Sequence, residues 1–269
     1  MADPRVLLTG LKMGESARWH HGELWFCDWA AGEVIRLESG KPTVVARMSG
    51  LPFCIDWLPG GELLILDGPG ARLLRDSAVH ADLAGIDGAH PWNDIATDSR
   101  GNAFVNNIGY DFPGGAPAPG LVAVVTPSGS VRQVAEGLLF PNGMAVTADD
   151  STLIVAESHG ARLTAFDIAA DGTLSNRRVW ADLAGDAPDG ICVDATGAVW
   201  FASVPGQHCR RVREGGEVLD TITLPDGAFD CALTDDQRTL YALTADYTNP
   251  QAMFTGHTGR LFEIPLDAA

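Results

Sequence analysis

Short apolar segments separated by tight polar turns recur along the chain, and each recurrence opens in the same way. In Phe140-Pro141-Asn142-Gly143-Met144-Ala145-Val146, a Pro, a short oxygen-bearing side chain and a Gly lead into a strand-length segment. After a polar turn, Ser151-Thr152-Leu153-Ile154-Val155-Ala156 supplies a second segment. Pro188-Asp189-Gly190-Ile191-Cys192-Val193 and Val199-Trp200-Phe201-Ala202 repeat the arrangement. Looser copies begin at Glu15, Phe53, Asn93 and Phe229. The equivalent positions are therefore Glu15, Phe53, Asn93, Asn142, Asp189 and Phe229, at successive spacings of 38, 40, 49, 47 and 40 residues.

A period of about 40–45 residues built from short strands is the sequence sign of propeller blades. Six copies predict an all-β, six-bladed β-propeller forming a single domain over residues 1–269. The last copy supplies only three strands, near residues 230–234, 239–244 and 260–265, whereas a blade needs four. The segment Val6-Leu7-Leu8 is expected to close the ring as the missing outer strand, beside residues 260–264. Such closure removes exposed sheet edges.

The first strand of each blade lines a propeller's central channel, so the equivalent positions are expected to face the axis. Four of them carry oxygen donors: Glu15, Asn93, Asn142 and Asp189. Two carboxylates and two amides suit a hard divalent cation, Ca²⁺ first, with Zn²⁺, Mn²⁺, Mg²⁺ or Fe²⁺ as alternatives. Each residue alone has an ordinary explanation, because short polar residues before strands make turns. It is their equivalence across repeats that points to a metal. Phe53 and Phe229 are expected to be channel walls that shape the substrate pocket.

Two long loops interrupt the pattern, at residues 106–120 and 245–259. A loop of that length inside a compact domain is usually functional or disordered, and the first is expected to overhang the metal. Loops on this face bring further candidates: Asp28, Tyr110, His159, Gln207, His208 and His257. Each has the alternative reading of a solvated loop residue. Tyr110, His159 and His208 are the ones expected to touch substrate. Neither His159 nor His208 shows in the sequence the fixed partners that a Ser/His/Asp triad requires. No phosphate-binding Gly loop or dinucleotide fingerprint occurs.

Composition narrows the partners. A net charge of −17 argues against nucleic acid and anionic membranes, which need a basic face. No apolar run approaches the ~20 residues needed to cross a bilayer, and Met1-Ala2-Asp3-Pro4-Arg5-Val6 does not read as a signal peptide. Five cysteines, Cys27, Cys54, Cys192, Cys209 and Cys231, fit buried thiols in a reducing cytoplasm. The expected partner is a small-molecule substrate, bound by a monomer or weak homo-oligomer.

Gly14-Glu15-Ser16 with Trp19, Asn93-Asp94, Pro141-Asn142-Gly143 and Pro188-Asp189-Gly190 together resemble the senescence marker protein/gluconolactonase/luciferin-regenerating enzyme (regucalcin-like) family. The resemblance spans nearly the whole chain. It implies a six-bladed propeller with one divalent metal, held by Glu15, Asn142 and Asp189. It also implies that Asn93 touches substrate or metal, as the fourth ligand does in diisopropylfluorophosphatase-like propellers. Asp189 is then the general base or nucleophile. Sugar-lactone members often carry an Arg two residues before the Asn-Asp pair, where this chain has Pro91 preceded by His90. That departure points away from the usual sugar-acid lactone. The expected activity is metal-dependent opening of a small, sugar-type lactone, with Asp189 as general base. The alternatives are phosphotriester hydrolysis and a non-catalytic calcium-binding propeller.

Overall fold

A computed structural model describes residues 3–249 and 254–266, so residues 250–253 of the second long loop lie outside the described residues. Strand β1 (Arg5–Leu11) precedes the first blade, which is β2 (Gly14–His20), β3 (Glu23–Asp28), β4 (Glu33–Glu38) and β5 (Lys41–Arg47). The second blade is β6 (Phe53–Trp57), β7 (Leu63–Asp67), β8 (Arg72–Arg75) and β9 (Ala78–Asp82), followed by the helical turn α1 (Ala84–Asp87). The third is β10 (Trp92–Thr97), β11 (Ala103–Asn107), β12 (Gly120–Val125) and β13 (Val131–Leu138). Then come β14 (Pro141–Val146), β15 (Thr152–Glu157), β16 (Arg162–Ile168) and β17 (Leu174–Asp182). The fifth is β18 (Pro188–Val193), β19 (Val199–Ser203), β20 (His208–Val212) and β21 (Val218–Thr223). The last has β22 (Gly227–Leu233), β23 (Thr239–Ala245) and β24 (Gly259–Pro265). Each forms a four-stranded antiparallel sheet, as the blades of a six-bladed β-propeller do, and the sixth is completed by β1. No helix among the described residues is long and apolar enough to cross a membrane.

The chain falls into two compact units, residues 1–50 with 186–269, and residues 51–185. The first holds blades one, five and six; the second holds blades two, three and four.

In the first unit β1 runs antiparallel to β24, pairing Val6 with Phe262, Leu8 with Leu261 and Thr9 with Arg260. This is the closure expected from the sequence. The backbones approach closely at Leu11 and Gly259, where a Cβ on the glycine would lie 2.8 Å from the Leu11 Cβ. One core of this unit joins blade five (Trp200, Ala202, Cys209, Ile222) to blade six (Cys231, Leu240, Phe262, Ile264). Another joins blades one and six through Leu24, Phe26, Ile35, Leu243 and Leu261.

In the second unit Phe104, Val122 and Val124 of blade three pack against Met144, Leu153, Val155 and Phe166 of blade four. Second strands explain why period-two alternation is weak in the sequence. Leu153 to Glu157 of β15 are all buried, because both faces of a middle strand are covered, as in any sheet packed on both sides. Outer strands show the opposite, with six of the seven residues of β5 exposed.

Candidate active site

Glu15, Asn93, Asn142 and Asp189 are each the second residue of their blade's first strand. The local pairing there is irregular. In blade three Trp92 pairs with Asn107 and Ile95 with Val105, so Asn93 lies in a stretch with one residue more than its partner. The same extra residue falls between Pro141 and Met144 in blade four and between Pro188 and Ile191 in blade five. In blade one it follows Glu15 directly, between Glu15 and Arg18, and Ser16 takes a left-handed backbone with φ 51°. A β-bulge of this kind bends the strand and re-aims a side chain, and bulges collect beside active sites. Blade two differs: Phe53 pairs regularly with Asp67 and no bulge interrupts the ladder.

Within the second unit the two amides meet. Asn93 Nδ2 donates to Asn142 Oδ1 at 2.9 Å, and Asn142 Nδ2 donates to Ser158 Oγ at 3.3 Å. Buried Asn106 holds the same corner from behind, donating to the Asn142 carbonyl at 2.6 Å and accepting from the Asp94 N–H at 3.2 Å. Asp94 reaches across to accept the Met144 N–H at 2.7 Å. The first unit repeats that strap between blades six and one. Asp230, which follows Phe229 as Asp94 follows Asn93, accepts the Ala17 N–H at 2.6 Å. Arg18 stands 3.6 Å from the same carboxylate. Glu15 is buried and Asp189 half-buried.

Each unit supplies oxygen donors alone, Glu15 and Asp189 in the first and Asn93 and Asn142 in the second. Among the described residues no three His, Cys, Asp or Glu side chains cluster as metal ligands. Oxygen-only donors are what Ca²⁺ takes and what softer, nitrogen- or sulfur-seeking ions do not need. The Asn93 amide presents its N–H to Asn142; a half-turn about its last torsion presents Oδ1 instead.

The predicted substrate contacts divide. Tyr110 and His159 come together in one aromatic cluster, ring centres 6.3 Å apart, with Phe140 between them at 5.9 and 4.5 Å. Phe53 is fully buried. Phe229 packs with Met13, Ala245, Trp29, Val204, Tyr247 and Phe254. His208 is buried and does have a fixed partner, contrary to expectation. Its Nε2 lies 2.7 Å from Asp186 Oδ2, and that carboxylate also accepts from Ser203 Oγ and, at 2.9 Å, from Arg210. Burial would push the Asp186 carboxyl up, but His208, Ser203 and the Arg210 charge bring it below the usual range.

The side chains of Asp28 and His257 are tied to backbone. Asp28 is buried and accepts the N–H groups of Lys12 and Met13 at 2.9 and 3.0 Å. The Gln207 backbone carbonyl accepts the Leu224 N–H at 2.8 Å, and His257 Nδ1 lies 2.9 Å from the Gly10 carbonyl. All five cysteines are free thiols, with Cys192 and Cys231 3.9 Å apart.

Residues 13–246 match the model of the SMP-30/Gluconolactonase/LRE-like region. The chain belongs to this family. Over 236 residues it is 27% identical to regucalcin of Xenopus laevis, covering 82% of this chain and 78% of that protein. Over 218 residues it is 27% identical to pentonolactonase XacC of Haloferax volcanii, covering 77% and 72%. A solved structure of the calcium-binding protein regucalcin from Agrobacterium tumefaciens superposes with a TM-score of 0.79 at 21% identity, covering 98% of this chain and 95% of that one. At that identity the likeness concerns the fold.

In this member of the SMP-30/gluconolactonase/LRE-like family, two features near the candidate ligands escape a reading of the sequence. One is Asp186, three residues before Asp189, which ties the approach to β18 onto Ser203 and His208 at the same end of the blade. Blade three has a counterpart: Asp87 takes His90 Nδ1 at 2.8 Å and Asn107 Nδ2 at 3.3 Å, ahead of Asn93. An acidic residue three to six positions before the donor was the available signal. The other is the pair Phe112 and Phe140, whose rings complete the cluster around Tyr110. Phe140 immediately precedes Pro141-Asn142-Gly143.

Proposed function

We propose that this chain is a metal-dependent lactonase that opens a small cyclic ester. The observation that carries the proposal is the oxygen donor at the second position of four inner strands: Glu15, Asn93, Asn142 and Asp189. Membership of a family whose relatives include a pentonolactonase supports the reaction class. These four residues would hold one divalent cation, and two carboxylates match its charge. Calcium is the preferred ion, in line with the donor chemistry. The ion, when bound, supplies Lewis acidity toward the ester carbonyl.

The chain's own groups do the rest. The Asp189 carboxylate accepts the proton of the attacking water as general base and returns it to the ring oxygen as the acyl C–O bond breaks, releasing the open hydroxy acid. Asn93 orients the substrate oxygen, with its amide braced by Asn142 and the latter by Ser158. Asp186 and its partners fix the segment from which Asp189 projects. Free, mostly buried thiols favour a reducing compartment, and we place the protein in the cytoplasm.

The test is hydrolysis of five- and six-membered lactones by the purified protein, with and without chelator, beside Asp189→Asn. We expect turnover that chelation abolishes, calcium restores and the substitution removes. Chelator-resistant turnover, or a fully active variant, defeats the mechanism. Turnover of phosphotriesters instead of lactones moves the protein to the second hydrolase class.

A further inference from the structure

The 106–120 insertion is not a loose flap. Buried Tyr110 is its floor, and Phe112, Phe140 and His159 surround it with ring centres 6.4, 5.9 and 6.3 Å away. Phe112 meets Phe140 edge-on at 5.1 Å, and Phe140 lies 4.5 Å from His159. Unlike Tyr110, these three turn carbon surface to solvent: Phe112 is 57% exposed, His159 is exposed and Phe140 half-buried.

The cluster is continuous with a candidate ligand. Asn142 donates to Ser158 Oγ, the Ser158 N–H donates to the Phe140 carbonyl at 3.0 Å, and the His159 N–H donates to that of Leu139 at 3.2 Å. The buried Glu157 carboxylate pins the strand entry by accepting the Leu139 N–H at 2.6 Å. The shelf is therefore built onto the same corner that presents Asn142, and its position is set by backbone hydrogen bonds.

We propose that this aromatic shelf is a subsite for an alkyl or aryl substituent on the lactone, so that the enzyme selects hydrophobic lactones over polyhydroxylated ones. The proposal rests on the lactonase reading and adds the substrate class. An apolar group laid on the shelf leaves water together with exposed ring surface, which favours binding in proportion to the area covered. A hydroxyl laid on the carbon faces of Phe112 and Phe140 gives up water and finds no hydrogen-bond partner on those two rings.

The experiment compares kcat/KM for an unsubstituted δ-lactone, its pentyl- and phenyl-substituted forms, and glucono-δ-lactone. Expected is a preference of roughly tenfold or more for the substituted forms. Phe112→Ala should cut that preference about three- to tenfold, mainly through KM, and Phe112→Leu should retain most of it. Preference for glucono-δ-lactone, or a ratio unmoved by Phe112→Ala, overturns the shelf. Binding of the matching hydrolysis-inert lactams, followed by calorimetry, separates the two claims. If no lactone is turned over, the lactonase reading fails, while tighter binding of the phenyl lactam that is lost in Phe112→Ala still supports the shelf. Equal binding of phenyl and hydroxylated lactams overturns it.

Discussion

The Asp230 carboxylate fills the space where Gly190 would carry a side chain. A Cβ added at Gly190 would stand 2.7 Å from the Asp230 Cβ and closer still to its carboxylate. Asp230 has little room to give, because it also accepts the N–H groups of Ala17 at 2.6 Å and Cys231 at 2.7 Å. The glycine after Asp189 is thus required by a neighbouring blade. Gly190→Ala is expected to cost about 1–3 kcal/mol, the usual penalty of overpacking, read as a lower urea midpoint at unchanged slope. The double variant with Asp230→Ala should lose less than the sum of the two single losses, since the obstructing carboxylate is gone. Simple additivity would show that the two residues do not compete for this space.

Closure by β1 gives a second prediction. Removing residues 1–9 takes away the partner of β24 and the apolar contacts of Leu7 and Leu8 with the cluster around Phe26 and Leu261. The melting temperature, followed by calorimetry, should fall strongly, by about 10 °C or more, given that 1 kcal/mol moves a domain of this size ~2–4 °C. An unchanged melting temperature would mean that β1 contributes nothing to the blade.

Glu157 sets an acid limit to stability. Its buried carboxylate accepts from Arg162 at 2.9 Å, Thr164 at 2.5 Å and the Leu139 N–H. Burial alone would raise its pKa; the Arg162, Thr164 and Leu139 bonds bring it below the ordinary value of 4.5. A depressed carboxylate contributes stability that is full above its unfolded pKa and lost as pH falls through the folded one. Unfolding free energy should therefore decline as pH drops below ~4.5, and Glu157→Gln should flatten that slope. At neutral pH Glu157→Ala should cost roughly 1–3 kcal/mol, because it leaves the buried Thr164 hydroxyl and the Leu139 N–H without their acceptor and half-buried Arg162 without its partner. A slope identical in Glu157→Gln would assign the acid sensitivity elsewhere.

Metal linkage is measurable without a substrate. Calcium at about 100 times its dissociation constant should add ~2.7 kcal/mol to the stability of chelator-treated protein, visible as a rise in melting temperature. Glu15→Gln should remove most of that rise while leaving the apo melting temperature near its parent value. A calcium-independent melting curve would count against the ligand set.

Much of the fold was legible because each blade repeats one grammar: donor or Phe, strand, polar turn, strand. β1, β24 and the 106–120 insertion fall where the spacing put them. Side-chain partnerships across blades were less legible. Asp94 and Asp230 look like strand residues in sequence, and only the packing of successive blades shows each carboxylate taking an N–H from the next. His208 and Asp186 are 22 residues apart, brought together because β20 returns past the approach to β18. Asp28 looked like a pocket group because it ends a strand on the loop side; two unpaired N–H groups of the incoming chain claim it instead.

The bulges have an evolutionary corollary. A residue held in a regular ladder has its direction fixed by the pleat, so changing its chemistry disturbs whatever it faces. In blades three, four and five the donor sits in an extra-residue stretch, where its side chain is largely released from that alternation. Those positions behave as sockets: Asn can give way to Asp, or Asp to Asn, with the strand beneath left as it was. Phe53, locked opposite Asp67 in an unbroken ladder, has no such freedom, and blade two is where this chain should resist acquiring another donor.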